Sequence, residues 1–477
     1  MFRVLLINPP VPDNKVWVRE GRCQQWDIWG AAFPPLSLAL ISAQLIKEKI
    51  ETLIIDSGPE NKNIGEVISE SAKFKPDVVI LSASSPTIET DLDWFVKKLK
   101  NKLPKIKVVV IGIHVSTLPE EVLKKFKLVD FVIMGEPEIS CKELIKNIEN
   151  RKSIDNIKGI AYRKGKKVVV NEGRNFLEDI DKLGFPDWEK INFKNYLLPI
   201  KGKSFSLISF SRGCPHNCKF CNASVYGGKR IRKRDIRQIV KEIEYNLSLG
   251  VNDFLFWTEL MTGDKKYLES FLDLIIKEKL HKKISWVCNS RVDGADLRLF
   301  RKMKKAGCWQ MAFGFEFGNN EILKLAQKGI TATIEQGRKA ANLASKAGIL
   351  VDGHFIMGFP GETPETLQDT IDFACSLPLT FAHFYAAVPF PGSQLYTEAI
   401  KNKWIKRDNK WSQLNQNFSE LSTKTLDPQT VNDYIKRAYK KFYFRPKVLI
   451  GGLKIPQSPR EFFNLIKLGI SFYGQNH

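Results

Sequence analysis

Across residues 1–150 the chain alternates short, nearly continuous apolar runs with stretches whose apolar positions recur every three to four residues. Val4–Asn8, Thr52–Asp56, Val78–Ser82, Val108–Gly112 and Phe131–Met134 are the runs, and they predict five buried strands. Between them, Leu36–Lys49, Ile64–Lys73, Ile88 to Lys102, Pro119–Phe126 and Pro137–Asn150 have helical spacing. In the first of these, Leu38, Ile41, Leu45 and Ile46 share a face. Strands of Val, Ile and Leu without polar alternation, separated by amphipathic helices, predict a parallel sheet covered on both sides. The expectation is an α/β, doubly wound (Rossmann-like) domain that binds ligands beyond the carboxyl ends of its strands.

Residues 151–200 read as a connection, with a hairpin about Lys164-Gly165-Lys166 and then Phe185-Pro186-Asp187-Trp188. From residue 201 the alternation resumes. Phe205–Phe210, Asp253–Trp257, Ser285–Asn289, Met311–Phe315, Leu350–Met357 and Thr380–Val388 predict strands. Asp235–Leu249 (with Asp235 as cap), Lys265–Glu278, Ala295–Ala306, Ile334–Ala347 and Thr363–Ser376 predict helices. Six such units over 201–410 suit a partial (β/α)6 barrel, with chemistry at its carboxyl-end loops. Residues 411–477 read as a small helical tail.

Composition narrows this picture. A chain of 477 residues holds two or three domains, and 43% hydrophobic with 26% charged residues is ordinary for a soluble protein. No apolar run approaches the roughly 20 residues that span a bilayer. The apolar stretch at Phe2–Ile7 is too short for a signal peptide and ends at Pro9-Pro10. Eight cysteines, three of them clustered, make no disulfide framework. Cys23, Cys141, Cys288, Cys308 and Cys375 read as scattered free thiols in a reducing, cytoplasmic setting. The net charge of +22 allows two readings: a polyanionic partner, or a solubilising surface of faces such as Lys97-Lys98-Leu99-Lys100.

The densest chemistry is Cys214-Pro215-His216-Asn217-Cys218-Lys219-Phe220-Cys221, directly after the strand at 205–210. Three thiols spaced C-x3-C-x2-C converge on one centre from a tight loop. A [4Fe–4S] cluster held by three cysteines keeps one iron open for a small ligand. Zinc and unconnected thiols are the alternatives, but zinc sites usually recruit a second CxxC or a histidine pair, and none is visible. Several later strand ends carry groups suited to a nucleoside with an amino-acid end. Glu259 ends the second strand, Asn289 and Arg291 leave the third, and Glu316 follows the fourth in Gly314-Phe315-Glu316. Phe355 to Glu362, including Met357, offers an apolar surface for adenine. His354 and His383 lie on strands and read as core or supporting groups, while Tyr385 faces a substrate. In the first domain no GxGxxG follows strand one, which disfavours a dinucleotide. Its polar strand ends are otherwise either turns or a cofactor site.

The cysteine spacing resembles that of radical S-adenosylmethionine (SAM) enzymes. Further matches are Arg291-Val292-Asp293, Gly314-Phe315-Glu316, Gly358-Phe359-Pro360-Gly361-Glu362-Thr363 and Pro389-Phe390-Pro391-Gly392-Ser393. The first domain is similar to the cobalamin-binding domain of the class B members. The match lies in Pro34 to Ala39, Ser82 to Thr87, Gly112-Ile113-His114, Leu118 to Leu123 and Asp130 to Glu138. The resemblance implies a [4Fe–4S] cluster on Cys214, Cys218 and Cys221, SAM chelated at its open iron, and cobalamin in the first domain. Ser82, Ser84, Thr87, Gly112 and Gly135 would line the pocket for the nucleotide tail. The chain departs in carrying Ile111-Gly112 for a glycine pair, and it lacks the Asp-x-His-x-x-Gly loop that gives cobalt a lower histidine. The implied activity is cleavage of SAM to a 5′-deoxyadenosyl radical, hydrogen abstraction from an unactivated carbon, and methyl transfer from cobalamin. The alternative is oxidation of the anaerobic magnesium-protoporphyrin monomethyl ester cyclase type; a binding regulator without turnover is a third class. A small-molecule substrate and a flavodoxin- or ferredoxin-type reductant would be the partners.

The tail joins basic and aromatic residues, in Ile435 to Lys447 and again in Arg460 to Tyr473. Phe462, Phe463, Ile466, Ile470 and Tyr473 form one helical stripe. Two readings stand: a helix lying in a membrane interface, with a lipid or terpenoid substrate and a place at the inner face of the membrane, or a helix packed on the barrel. Nucleic acid is disfavoured, since the aromatics do not interleave as stacking platforms.

Overall fold

The computed structural model describes residues 2–12, 16–19, 32–199, 201–329, 331–405, 410–446, 448, 459, 461, 463 and 464. Cys23 and most of the 460–473 stripe lie outside the described residues. Among the described residues no helix is long and apolar enough to cross a membrane.

Strands β1 (Arg3–Asn8), β2 (Glu51–Asp56), β3 (Val78–Ser82), β4 (Lys107–Ile111) and β5 (Phe131–Ile133) pair in parallel in the order β2-β1-β3-β4-β5. The two-residue side-chain period splits their apolar residues between two cores. Leu5, Ile7, Val79, Leu81, Val108 and Val110 pack on one side. Val4, Leu6, Val78, Ile80, Val109 and Ile111 pack on the other, against Leu38, Ile41 and Leu45 of the first helix. The doubly wound expectation holds. The expected helix at 88–102 holds a π-helical segment, Thr90–Phe95, ahead of Val96–Lys102. Its buried Asp91 accepts a hydrogen bond from Thr87 Oγ1 at 2.6 Å and pairs with Arg19. Widened turns of this kind are frequent at functional sites.

The segment read as a connection belongs to this body. Strands β6 (Ile160–Lys164) and β7 (Lys167–Val170) form the expected hairpin, and β6 adds antiparallel to β5, making a seven-stranded sheet. Trp188 and Tyr196 then sink to 1% exposure each. Burying side chains of that size contributes on the order of 2–3 kcal/mol apiece. They sit in the same continuous core as Phe205 and Leu207 of the second sheet, so the two sheets share one interior.

That second sheet comprises β8 (Phe205–Ser209), then, beyond the short antiparallel pair β9 (Ser211–Arg212) and β10 (Arg232–Lys233), β11 (Asp253–Trp257), β12 (Ser285–Arg291), β13 (Cys308–Glu316), β14 (Leu350–Met357) and β15 (Phe381–Ala386). Its six strands are parallel and follow sequence order from β8 to β15, as a partial (β/α)6 barrel requires. Asp235 caps the Ile236–Ser248 helix as expected, accepting from Arg237 N and Gln238 N.

The first half of the tail settles on the barrel. Helix Pro428–Tyr443 buries Val431, Ile435, Ala438, Tyr439 and Phe442. Tyr439 Oη accepts from Phe384 N at 3.2 Å, and Tyr443 Oη accepts from Ala382 N at 3.0 Å. These hydroxyls satisfy backbone groups on β15, which ends the sheet. The aromatics therefore seal a sheet edge that would otherwise template further pairing. Of the two readings of the tail, packing on the barrel is the one seen for residues 435–443.

Candidate active site

The cysteine loop leaves β9 and runs along the carboxyl ends of the barrel strands. Cys214, Cys218 and Cys221 line one cavity of about 510 Å³ with Glu259, Asn289, Arg291 and Glu316. All three thiols are free of disulfides. Cys221 Sγ accepts from Ala223 N at 3.4 Å, and Arg291 Nη1 stands 3.9 Å from Cys218 Sγ. Burial pushes the Cys218 thiol up, while Lys328 and Arg291 pull against it. A soft three-sulfur donor set beside two cations suits an anionic iron–sulfur cluster.

The strand-end residues reach the cavity by different routes. Arg291 is gripped by Asp293, with Nη2 2.9 Å from Oδ2, and this turns its remaining amine toward Cys218. Burial works to raise the Asp293 carboxyl, but Arg291 holds it below the usual range. Among the described residues, Glu259 keeps a buried Oε2 without a hydrogen-bond partner, an acceptor suited to a ribose hydroxyl or ammonium. Glu316 adopts φ +67° where the pairing of β13 and β14 shifts register. Its carboxylate turns back to Lys328 in a buried pair. A Cβ on Gly314 would meet that carboxylate, so a larger residue there would have to push the Glu316–Lys328 pair aside. Lys328 went unanticipated, since among 74 Lys and Arg no pattern marks one that is buried.

Met357 does not join this site. It is fully buried in the hydrophobic core, and β14 contributes His354 and Ile356 to the cavity wall. Strand alternation places residue 357 on the opposite face from 356. Tyr385 does line the cavity.

The first sheet meets this mouth with its own ligand edge. Glu136, just past β5, takes Arg212 at 3.0 Å and Arg232 at 2.7 Å, and Glu138 takes Arg212 at 2.7 Å. Burial would raise the Glu136 carboxyl, yet the two guanidiniums hold it low. Arg212 stands two residues before Cys214, so the clasp fixes the cysteine loop to the carboxyl edge of the first sheet. At that edge Ser82, Ser84 and Thr87 are buried, and Ser84 Oγ lies 3.0 Å from Thr87 Oγ1. Gly135 has φ +72°, and among the described residues a Cβ there would meet nothing within 4 Å.

The "Radical SAM superfamily" model matches residues 208–374, and the "B12 binding domain" model matches residues 30–145. The chain is 30% identical over 451 residues to "Uncharacterized methyltransferase PH0819" of Pyrococcus horikoshii, covering 94% of each chain. The chain belongs to the cobalamin-binding radical SAM family. It is also 26% identical over 462 residues to the anaerobic magnesium-protoporphyrin IX monomethyl ester cyclase of Cereibacter sphaeroides, covering 92% of this chain and 74% of the relative. The fold matches the radical SAM methyltransferase TsrM of Kitasatospora setae, solved with cobalamin and a [4Fe–4S] cluster. That match has TM-score 0.73 at 16% identity and covers 100% of each chain.

As a cobalamin-binding radical SAM enzyme, the protein uses a [4Fe–4S] cluster, SAM and cobalamin. Its residues fit these groups. The three-thiol loop suits the cluster, and the unsatisfied Glu259 oxygen suits SAM. At the first-sheet edge, the space over Gly135, whose N–H donates to Ser116 Oγ, suits a bulky neutral ligand. The Glu136–Arg212–Arg232 clasp was not anticipated, because its partners lie 76 and 96 residues apart along the chain.

Proposed function

We propose that the enzyme methylates an unactivated carbon of a small molecule. When bound, the cluster supplies the electron that cleaves SAM, and cobalamin supplies the methyl group. The protein's part is placement. Cys214, Cys218 and Cys221 hold the cluster; Asn289, Glu259, Arg291 and Glu316 orient SAM; Ile356, Val388 and Phe390 make an apolar wall that keeps water from the reacting carbon. Ser82, Ser84, Thr87, Gly112 and Gly135 receive the nucleotide tail of cobalamin. The observation that carries this reading is the clasp of Glu136 on Arg212 and Arg232, which brings a cobalamin-domain edge to the mouth of the cluster cavity. The name of the Pyrococcus relative supports methyl transfer.

The Cereibacter relative favours a second reading, oxidation of carbon without methylation. The two separate in one experiment. Anaerobically reconstituted enzyme with cobalamin, SAM, a strong reductant and a small-metabolite extract should release S-adenosylhomocysteine beside 5′-deoxyadenosine. Deoxyadenosine without S-adenosylhomocysteine would establish the cyclase-type reading, and neither product would leave a binding protein.

The physiological electron source in this proposal is a flavodoxin or ferredoxin. A lipid-like substrate and peripheral membrane contact would rest on the chain beyond residue 443, where Phe444 is 59% and Phe463 64% exposed. Removing residues 444–477 should then abolish sedimentation with anionic liposomes, and unchanged sedimentation would withdraw the membrane contact.

A further inference from the structure

Beneath the wall of the same cavity, three chemically active side chains converge that the SAM and cobalamin readings do not use. Asp352 and His354 are two apart on β14 and so share a face, and His354 pairs in register with His383 on β15. His383 Nε2 is 3.3 Å from Asp352 Oδ1, and His354 Nε2 is 3.8 Å from Asp352 Oδ2. One ligand atom from each residue falls within 4.8 Å of the others. Asp352 is 6% exposed, and the two imidazoles hold its carboxyl well below the ordinary range although burial works the other way.

The distances decide what this cluster is built for. A carboxylate that grips an imidazolium does so at about 2.7–2.9 Å. Here both contacts are longer, and among the described residues Asp352 Oδ1 receives no well-formed hydrogen bond despite its burial. Ligand atoms set tetrahedrally around a metal at bond lengths of about 2.0–2.1 Å lie ~3.4 Å from one another. The three side chains therefore surround a common point rather than close on each other. Their outer contacts match the support that metal ligands need. Gln310 Nε2 donates to Asp352 Oδ2 at 3.2 Å, and Tyr385 Oη is 3.2 Å from His354 Nδ1, which leaves Nε2 turned inward.

We propose that Asp352, His354 and His383 bind a first-row divalent cation, Zn²⁺ or Fe²⁺, for which two imidazoles and a carboxylate are a suitable donor set. His354 belongs to the cavity wall, so the cation's remaining coordination position opens to the substrate space. A substrate carrying an oxygen donor, such as a carboxylate, phosphoryl or enol oxygen, would be anchored there with its reacting carbon held away from the metal. The site goes beyond the methyl-transfer reading and does not depend on it.

The test uses holoenzyme with cluster and cobalamin already loaded, so that the three loop cysteines are occupied. Zn²⁺ is titrated anaerobically in competition with a chromophoric chelator, and the bound metal is counted by mass spectrometry. One equivalent per chain is expected. Asp352→Asn and His383→Asn should weaken retention by at least ~100-fold with the cluster spectrum preserved, and Gln310→Ala by about 10–100-fold through loss of carboxylate orientation. Wild-type enzyme that retains neither Zn²⁺ nor Fe²⁺ beyond the cluster, or binding that is equal in Asp352→Asn and Gln310→Ala, would overturn the site. Metal retention is read without turnover, so either result leaves the methyl-transfer assay to be judged separately.

Discussion

At the edge of the first sheet, Ser84, Thr87, Asp91 and Arg19 are linked by hydrogen bonds and an ion pair, and past β5 Gly135 has open space above it among the described residues. At the barrel mouth, three thiols, an unsatisfied Glu259 oxygen, the Arg291 guanidinium and the Lys328–Glu316 pair crowd into one cavity. The first arrangement has already satisfied its polar groups, so it can offer a ligand mainly shape. The second keeps one buried acceptor, the Glu259 oxygen, in reserve beside two internally paired cations, for ligands that bring charge with them. That contrast suits a bulky corrinoid on one side and an anionic cluster with a sulfonium amino acid on the other. It also implies that damage to the two edges should read out differently.

The largest difference is expected between Cys218→Ala and Ser84→Ala. Loss of a proposed cluster ligand should abolish cluster absorbance and deoxyadenosine formation, well beyond the ~10–100-fold that loss of an outer partner costs. Ser84→Ala removes one neutral hydrogen bond, worth about 0.5–1.5 kcal/mol. It should leave deoxyadenosine formation in place and lower only the cobalamin retained after desalting. Equal loss of cluster in both variants would show that the edges are not separable.

Glu136 is where the edges are joined. Its side chain is 10% exposed, and its partners Arg212 and Arg232 are 15% and 3% exposed. Glu136→Gln breaks the buried pair and leaves Arg232 without a carboxylate, while Arg212 keeps Glu138, at a cost of about 3–5 kcal/mol. Calorimetry should show the single unfolding transition moved down or split in two. S-adenosylhomocysteine should fall further than deoxyadenosine, because only methyl transfer needs both edges in register.

A smaller effect, confined to the barrel, is set by Glu362. Its carboxylate accepts from Gly358 N and Phe359 N, both at 2.8 Å. Burial nevertheless pushes its pKa from 4.5 up to about 8. The folded chain therefore holds this proton more tightly than the unfolded chain. Its contribution to stability is complete below about pH 4.5 and is lost as the pH rises toward about 8. The expected slope is at most about 1.4 kcal/mol per pH unit. Glu362→Gln should flatten that part of the pH–stability curve; a curve identical to wild type between pH 5 and 8 would mean that the carboxyl is ionised throughout.

What could be read in advance follows the same division. The proposed cluster loop is written in eight consecutive residues, and largely apolar, aromatic-rich strands place each later candidate contact at or near a strand end. Asp253–Trp257 and Leu350–Met357 were legible to the residue. Lys328 and the Glu136 clasp were not, because burial of a charge depends on a partner that pairing alone brings near. The aromatic tail was ambiguous for a related reason. Tyr439 and Tyr443 look like interface anchors until the exposed backbone of β15 is available for their hydroxyls.

The smallest effect tests the one strand-end residue whose face was misjudged. An apolar run gives no hint of which alternate positions look inward, since both faces of β14 are covered. Met357 is fully buried, whereas Ile356, at 7% exposure, lines the cavity. Met357→Leu conserves volume and should cost under about 1.5 kcal/mol of stability, with SAM affinity unchanged. Ile356→Ala removes apolar contact where adenosine would rest and should weaken SAM by about 1–2 kcal/mol, some five- to thirtyfold in Kd, as measured by equilibrium dialysis on reconstituted enzyme. If Met357→Leu weakened SAM while Ile356→Ala did not, the strand would have to present its other face to the cavity. His354 and the metal site argued above would then turn away with Ile356.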